Sequence, residues 1–103
     1  MHSRDSIVYG FENLPLMPSL SQVDDKCFLF DTPYGRIIHA FARGNLEKAK
    51  IRSFYAATLP QLGWQEVEGM KFYRDEEFLR VEFENLENGD IGVYFLLRPS
   101  QNK

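Results

Sequence analysis

A single cysteine, Cys27, leaves no pair for an intramolecular disulfide and no thiolate set for a zinc site. Its place at the head of an apolar run, CFLFD, reads as a small buried hydrophobe at the start of a strand rather than a reactive thiol. Only two histidines occur, His2 near the N-terminus and His39 among apolar neighbours, so a positioned general base with a partner is hard to assemble. There is no Gly-x-Ser-x-Gly, no His-Glu-x-x-His and no Walker-type glycine loop. No run approaches the roughly 18 apolar residues of a membrane span. The first ten residues, MHSRDSIVYG, lack the apolar segment of a signal peptide. The chain as it stands is therefore expected in the cytoplasm, or in the periplasm where a leader has been removed. No cofactor, metal or catalytic residue is expected, and the sequence points away from an enzyme.

What is present is an apolar, aromatic-rich chain. Its 103 residues suit one domain, and 44% apolar and 15% aromatic residues argue against disorder. The net charge of −3 is unevenly spread. From Arg36 to Arg52 five basic residues face one acid, whereas after Trp64 nine acids face five bases. Neither repeats nor low-complexity segments occur.

The stretch IRSFYAATLPQLGW encodes one amphipathic helix. Ile51, Phe54, Tyr55, Thr58, Leu59 and Leu62 recur with the 3.6-residue period of an apolar stripe. Gly44-Asn45 offers a start, with the Asn side chain as cap, and Gly63 a stop. Pro60 lacks an amide hydrogen and crowds the carbonyl four residues back, which predicts a break or an irregular last turn near Leu59.

Residues 1–22, with Pro15 and Pro18 around isolated apolar residues, read as an extended arm; residues 23–99 form the domain and 100–103 a tail. Cys27 to Asp31 and Arg36 to Arg43 predict a hairpin across DTPYG. Gln65 to Asp75, with a candidate turn at Glu68-Gly69 and a strand ending in Phe72 and Tyr73, is followed by strands Glu77 to Glu84 and Gly92 to Arg98, the last two joined at Asn88-Gly89-Asp90. The acidic run Asp75-Glu76-Glu77 and the pair Asp24-Asp25 are expected as solvated turns rather than metal ligands. The expectation is an α+β two-layer sandwich in the order β-β-α-β-β-β, an antiparallel sheet of about five strands with one helix on one face.

Side-chain alternation separates the two sheet faces. Leu79, Val81 and Phe83, together with Ile91, Val93, Phe95 and Leu97, belong under the helix with Met70 and Phe72. Ile38, Ala40 and Ala42 are assigned to the same side. Ile37, His39, Phe41, Tyr73, Phe78, Tyr94 and Leu96 then fall on the far face, which is too apolar to stand in water. Its expected cover is the arm, through Leu14, Leu16, Met17 and Leu20, or another molecule. The leading functional expectation is a non-enzymatic domain that meets an unidentified protein, or a second copy, through that face or the arm. Its rival is a small-ligand or enzymatic site under the arm, lined by His39, Tyr73 and Tyr94. Arg43, Lys48, Lys50 and Arg52 form a second candidate, a patch for an anion or an acidic partner at the helix N-terminus. Nucleic acid is not an expected partner, because the charge is negative and the basic-aromatic motif of sheet-face readers is missing.

The segments NLPLMPSL, FDTPYGRI and FYAATLPQLGW resemble a family of small uncharacterised bacterial proteins. That family is marked by a Leu-Pro-x-x-Pro arm, a Phe-Asp-x-Pro-x-Gly-Arg hairpin and a Phe-Tyr-x-x-x-Leu-Pro-x-Leu-Gly-Trp helix end. The resemblance spans roughly residues 13–98. It implies an envelope location, since members often carry a secretion leader, and it brings no activity and no catalytic residues.

Overall fold

The computed structural model describes residues 7–100. His2, the start of the arm and most of the tail lie outside them. Seven strands and one helix follow in the order β1 (Ser21–Gln22), β2 (Phe28–Thr32), β3 (Gly35–Gly44), α1 (Lys48–Gln61), β4 (Gln65–Glu68), β5 (Lys71–Arg74), β6 (Glu77–Asn85) and β7 (Ile91–Pro99). All pair antiparallel in one sheet, β1-β3-β7-β6-β5-β4, with β2 also on the β1 edge of β3. The α+β class and the single helix agree with expectation, but the strand number does not. Glu68–Lys71 is a hairpin turn, so Gln65 to Asp75 supplies two strands, and the end of the arm supplies the two-residue β1. Both additions are short and neither carries enough alternating residues to register as a pattern.

The tight turns follow local chemistry. β2 and β3 meet across Pro33-Tyr34, with Thr32 opposite Gly35 and the Thr32 hydroxyl donating to the Gly35 carbonyl at 2.6 Å. β5 and β6 are joined by Asp75 and Glu76, both with positive φ (50° and 66°), as a primed hairpin turn demands.

The helix buries Ile51, Tyr55 and Leu59, with Phe54 and Leu62 packed at the margin. It runs through Pro60 to Gln61 without a break, but the last turn is irregular, as expected, with Leu62 N–H bonded three residues back to the Leu59 carbonyl at 3.0 Å. Pro60 is solvent-exposed near the C-terminus, where the missing amide orphans only an outward-facing carbonyl. Two further bonds close the end, Gly63 N–H to the Pro60 carbonyl at 3.1 Å and Trp64 N–H to the Leu59 carbonyl at 3.0 Å, with Gly63 at φ +94°. This is the left-handed stop expected of Gly63. The N-terminal expectation is corrected: the capping position is Glu47, with no side-chain cap, and Asn45 instead donates to Gly89 O and Asp90 Oδ1, both at 3.3 Å.

The arm is the larger correction. Val8, Phe11, Leu14, Leu16 and Leu20 are buried in the same cluster as Ile51, Tyr55, Leu59 and the helix-side residues of the sheet. Tyr55 lies in the middle, its hydroxyl donating to Pro15 O at 2.8 Å and accepting from Met17 N–H at 2.9 Å. Gln22 holds the arm's first turn, accepting from Tyr9 N–H and donating to Ile7 O. The arm therefore extends the helix layer and shares its core. It does not cover the opposite face.

Candidate functional site

Register places the expected far-face residues together. Across the sheet, Ile37 lies opposite Phe30, His39 opposite both Phe28 and Leu96, Phe41 opposite Tyr94, and Tyr73 opposite Phe78. The assignment of Ile38, Ala40 and Ala42 to the helix side holds, since all three are buried in the shared core. An aromatic stripe crosses the open face. Phe30 and Phe28 stand 5.1 Å apart, Phe28 and His39 4.7 Å, His39 and Tyr94 5.9 Å, and Tyr94 and Phe41 4.8 Å. On the far side of β7, Tyr73 and Phe78 form a second pair at 5.3 Å.

Phe41 belongs to this face but is not an exposed contact residue. Tyr94 packs on it, the Lys26 ammonium lies 5.5 Å from its ring centre, and Gly92 sits so close that a Cβ there would fall 2.7 Å from the ring. Gly92 makes room for Phe41, and Phe41 is buried as a result. The Tyr94 hydroxyl donates to Glu84 at 2.6 Å, and this bond raises its pKa.

Between the two aromatic groups a groove of about 270 Å³ runs over β7. Ile37 and Leu96 form its floor, Phe28 and His39 one wall, and Phe78, Arg80 and Arg98 the other. Tyr73 and Tyr94 flank the groove without lining it, and with residues 7–20 of the arm in the helix layer no described segment encloses it from above.

Phe28 and Phe30 were absent from the expected surface, and they are among its most exposed members, at 40% and 57%. Alternation along CFLFD, combined with the two-residue turn that fixes register on β3, carries that information. The cations Lys71, Arg80 and Arg98 at the groove's edge were also missed, because nothing in single-strand alternation shows that three strands bring them together.

The helix N-terminal patch does not assemble. Arg43 is held by Glu87 at 3.1 Å and Asp90 at 3.0 Å; the Arg43 bond, with one from Asn45, lowers the Asp90 carboxyl pKa, and a hydrogen bond from its own backbone, followed by the Arg43 bond, lowers that of Glu87. Lys48 lies over the Phe83 ring at 5.5 Å, and Lys50, two residues on, points to another side of the helix from Lys48 and Arg52. Cys27 is half-buried, its Sγ accepting from Phe41 N–H and donating to Val23 O, and burial pushes its thiol up. That is the environment of an inert thiol. Asp24 and Asp25 lie in an exposed turn, and Glu77 pairs with Arg36 at 3.1 Å. Among the described residues no group of His, Cys, Asp and Glu is arranged to hold a metal ion, and no helix is long and apolar enough to cross a membrane. Compared with protein-family models, curated proteins and solved structures, the chain finds no match.

Proposed function

We propose that this protein is a non-enzymatic interaction domain whose open sheet face docks against another protein. The observation that carries the reading is the position of the arm. With its apolar residues committed to the core beside the helix, Phe28, Phe30, Ile37, Leu96 and Phe78 are left without a cover among the described residues. Contiguous apolar surface of this kind, edged by charged residues, is the usual mark of an interaction site. Aromatic side chains supply contact area at low entropic cost, which suits Phe28 and Phe30 as anchors.

A photo-crosslinking benzoylphenylalanine placed at Phe30 in the source cells tests the reading, with the same group at Arg52 on the exposed helix surface as control. The expected result is a discrete protein adduct from position 30 that disappears with Ile37→Asp and is absent from position 52. Identical adducts from both positions, or none from position 30, would overturn it. A second reading, a small-ligand site, is favoured by the groove, though not by an enclosing arm.

A further inference from the structure

We infer that the groove over β7 is a binding site for a small amphipathic carboxylate, an alkyl or aryl acid whose body lies on Ile37 and Leu96 and whose carboxylate meets Arg80 and Arg98. The site shares the open face with the proposed protein contact but does not depend on a protein partner.

The first support is a charge arrangement that the fold alone does not favour. Lys71 and Arg80 are direct cross-strand partners on the open face, and like charges so placed repel. Arg98 joins them, opposite Phe78 on the neighbouring strand. The Lys71 ammonium and the Arg98 guanidinium each lie 5.1 Å from the Phe78 ring centre. Among the described residues these three cations have one ion-pair partner, Glu82, which holds Arg80 at 2.7 Å. Among the described residues Arg98 makes only a long bond, 3.4 Å, to the carbonyl of its own neighbour Pro99. In a chain of net charge −3, a groove lined by two arginines and no carboxylate is a local departure from the composition.

The second support is the adjoining floor. Ile37, Leu96, Phe28 and Phe78 line the groove together with the guanidinium groups of Arg80 and Arg98. An acid bound there would remove water from both at once, and guanidinium–carboxylate bonds strengthen as water leaves. The volume of about 270 Å³ lies just under the range of drug-sized pockets, which selects a small amphiphile. Arginine suits the task because its planar fork matches a carboxylate with two parallel bonds.

Amide chemical-shift titrations of the full chain with octanoate, 1-octanol and octyltrimethylammonium separate the contributions of chain and charge. Octanoate is expected to give saturable shifts at Ile37, His39, Leu96 and Arg98, and 1-octanol to bind at the same place at least about fivefold more weakly. Octyltrimethylammonium should produce no shifts there. Arg80→Gln with Arg98→Gln should bring octanoate down to the level of 1-octanol while leaving 1-octanol unchanged; undisturbed Tyr55 and Leu59 amides will show that the fold is intact. Equal affinity for the three amphiphiles, octanoate binding that survives the double substitution, or no shifts in the groove would each overturn the inference. A position-30 crosslink that persists in any of those cases would leave the protein contact standing, so the two readings fail separately.

Discussion

At the scale of single residues, Tyr55 joins helix, sheet and arm. Its ring meets Phe95 edge-on at 5.2 Å while its hydroxyl satisfies one acceptor and one donor of the arm backbone. Tyr55→Phe keeps the ring and strands both arm groups, a loss of about 1–3 kcal/mol. The expected signs are a lower urea midpoint and loss of hydrogen-exchange protection at the Met17 amide. The same burial pushes the Tyr55 pKa well above its ordinary value of 10.0. Above that pH the unfolded chain gives up this proton and the folded chain keeps it, so stability falls as pH rises, by at most about 1.4 kcal/mol per pH unit from this group. Tyr94, raised by Glu84, acts in the same direction. Urea midpoints at pH 9 and pH 11 should therefore fall less steeply in Tyr55→Phe than in the parent. A second residue, Glu76, sits at φ 66° in a two-residue turn that favours glycine. Glu76→Gly relieves left-handed strain of about 1–2 kcal/mol, less the entropy cost of glycine. A rise of a few degrees in the thermal midpoint is the expected outcome.

Elements were legible where periodicity and turn chemistry agree, and illegible where tertiary contact supplies the stop. The stripe Ile51, Tyr55, Leu59 and the closing Gly63 are local signals, and the helix obeys both. Asn45 was misread because its side chain finds better partners across the β6–β7 turn than in the first helical turn. Arg74 could not be read at all as part of the helix. It reaches from β5 to accept the helix end, its Nη1 donating to Leu62 O at 2.7 Å and its guanidinium lying 4.4 Å from the Trp64 ring centre. A cation at a helix C-terminus also complements the macrodipole. Arg74→Met preserves much of the stem and removes the charge-assisted bond and the cation–π contact. It should cost about 1–2 kcal/mol, offset in part because the parent buries its Nε without a bonding partner. Trp64 emission, measured alongside denaturation, should shift in the same variant even before unfolding begins.

For the whole molecule, the division between arm and domain drawn from the sequence dissolves, and the reason is physical. The arm residues Val8, Phe11, Leu14, Leu16 and Leu20 have neither helical nor strand spacing, so no pattern on the arm itself announces burial. Their partners on α1 and the sheet were readable as an apolar face, but not as a face too wide for one helix of 14 residues to cover. The open face was legible because alternation on β3, β6 and β7 fixes it from both sides; what could not be read was which layer the arm would join. The energetics make the distinction testable. Each of the five buried arm side chains contributes about 1.5–3 kcal/mol of apolar burial, which together rivals the roughly 5–15 kcal/mol net stability of a small domain even after the entropy of ordering the arm is subtracted. Removing residues 1–20 should therefore leave a chain without cooperative unfolding, with far-UV ellipticity partly retained, near-UV signal from Trp64 and Tyr55 lost, and a dye that reports exposed apolar surface strongly bound. An arm lying loosely on the open face would give the reverse, a truncated chain that unfolds as cooperatively as the parent and binds more dye only at Phe28, Ile37 and Leu96. Ile37→Asp in the untruncated 103-residue chain supplies the matching control, since this change at a half-exposed open-face residue should lower dye binding with little change in the unfolding midpoint.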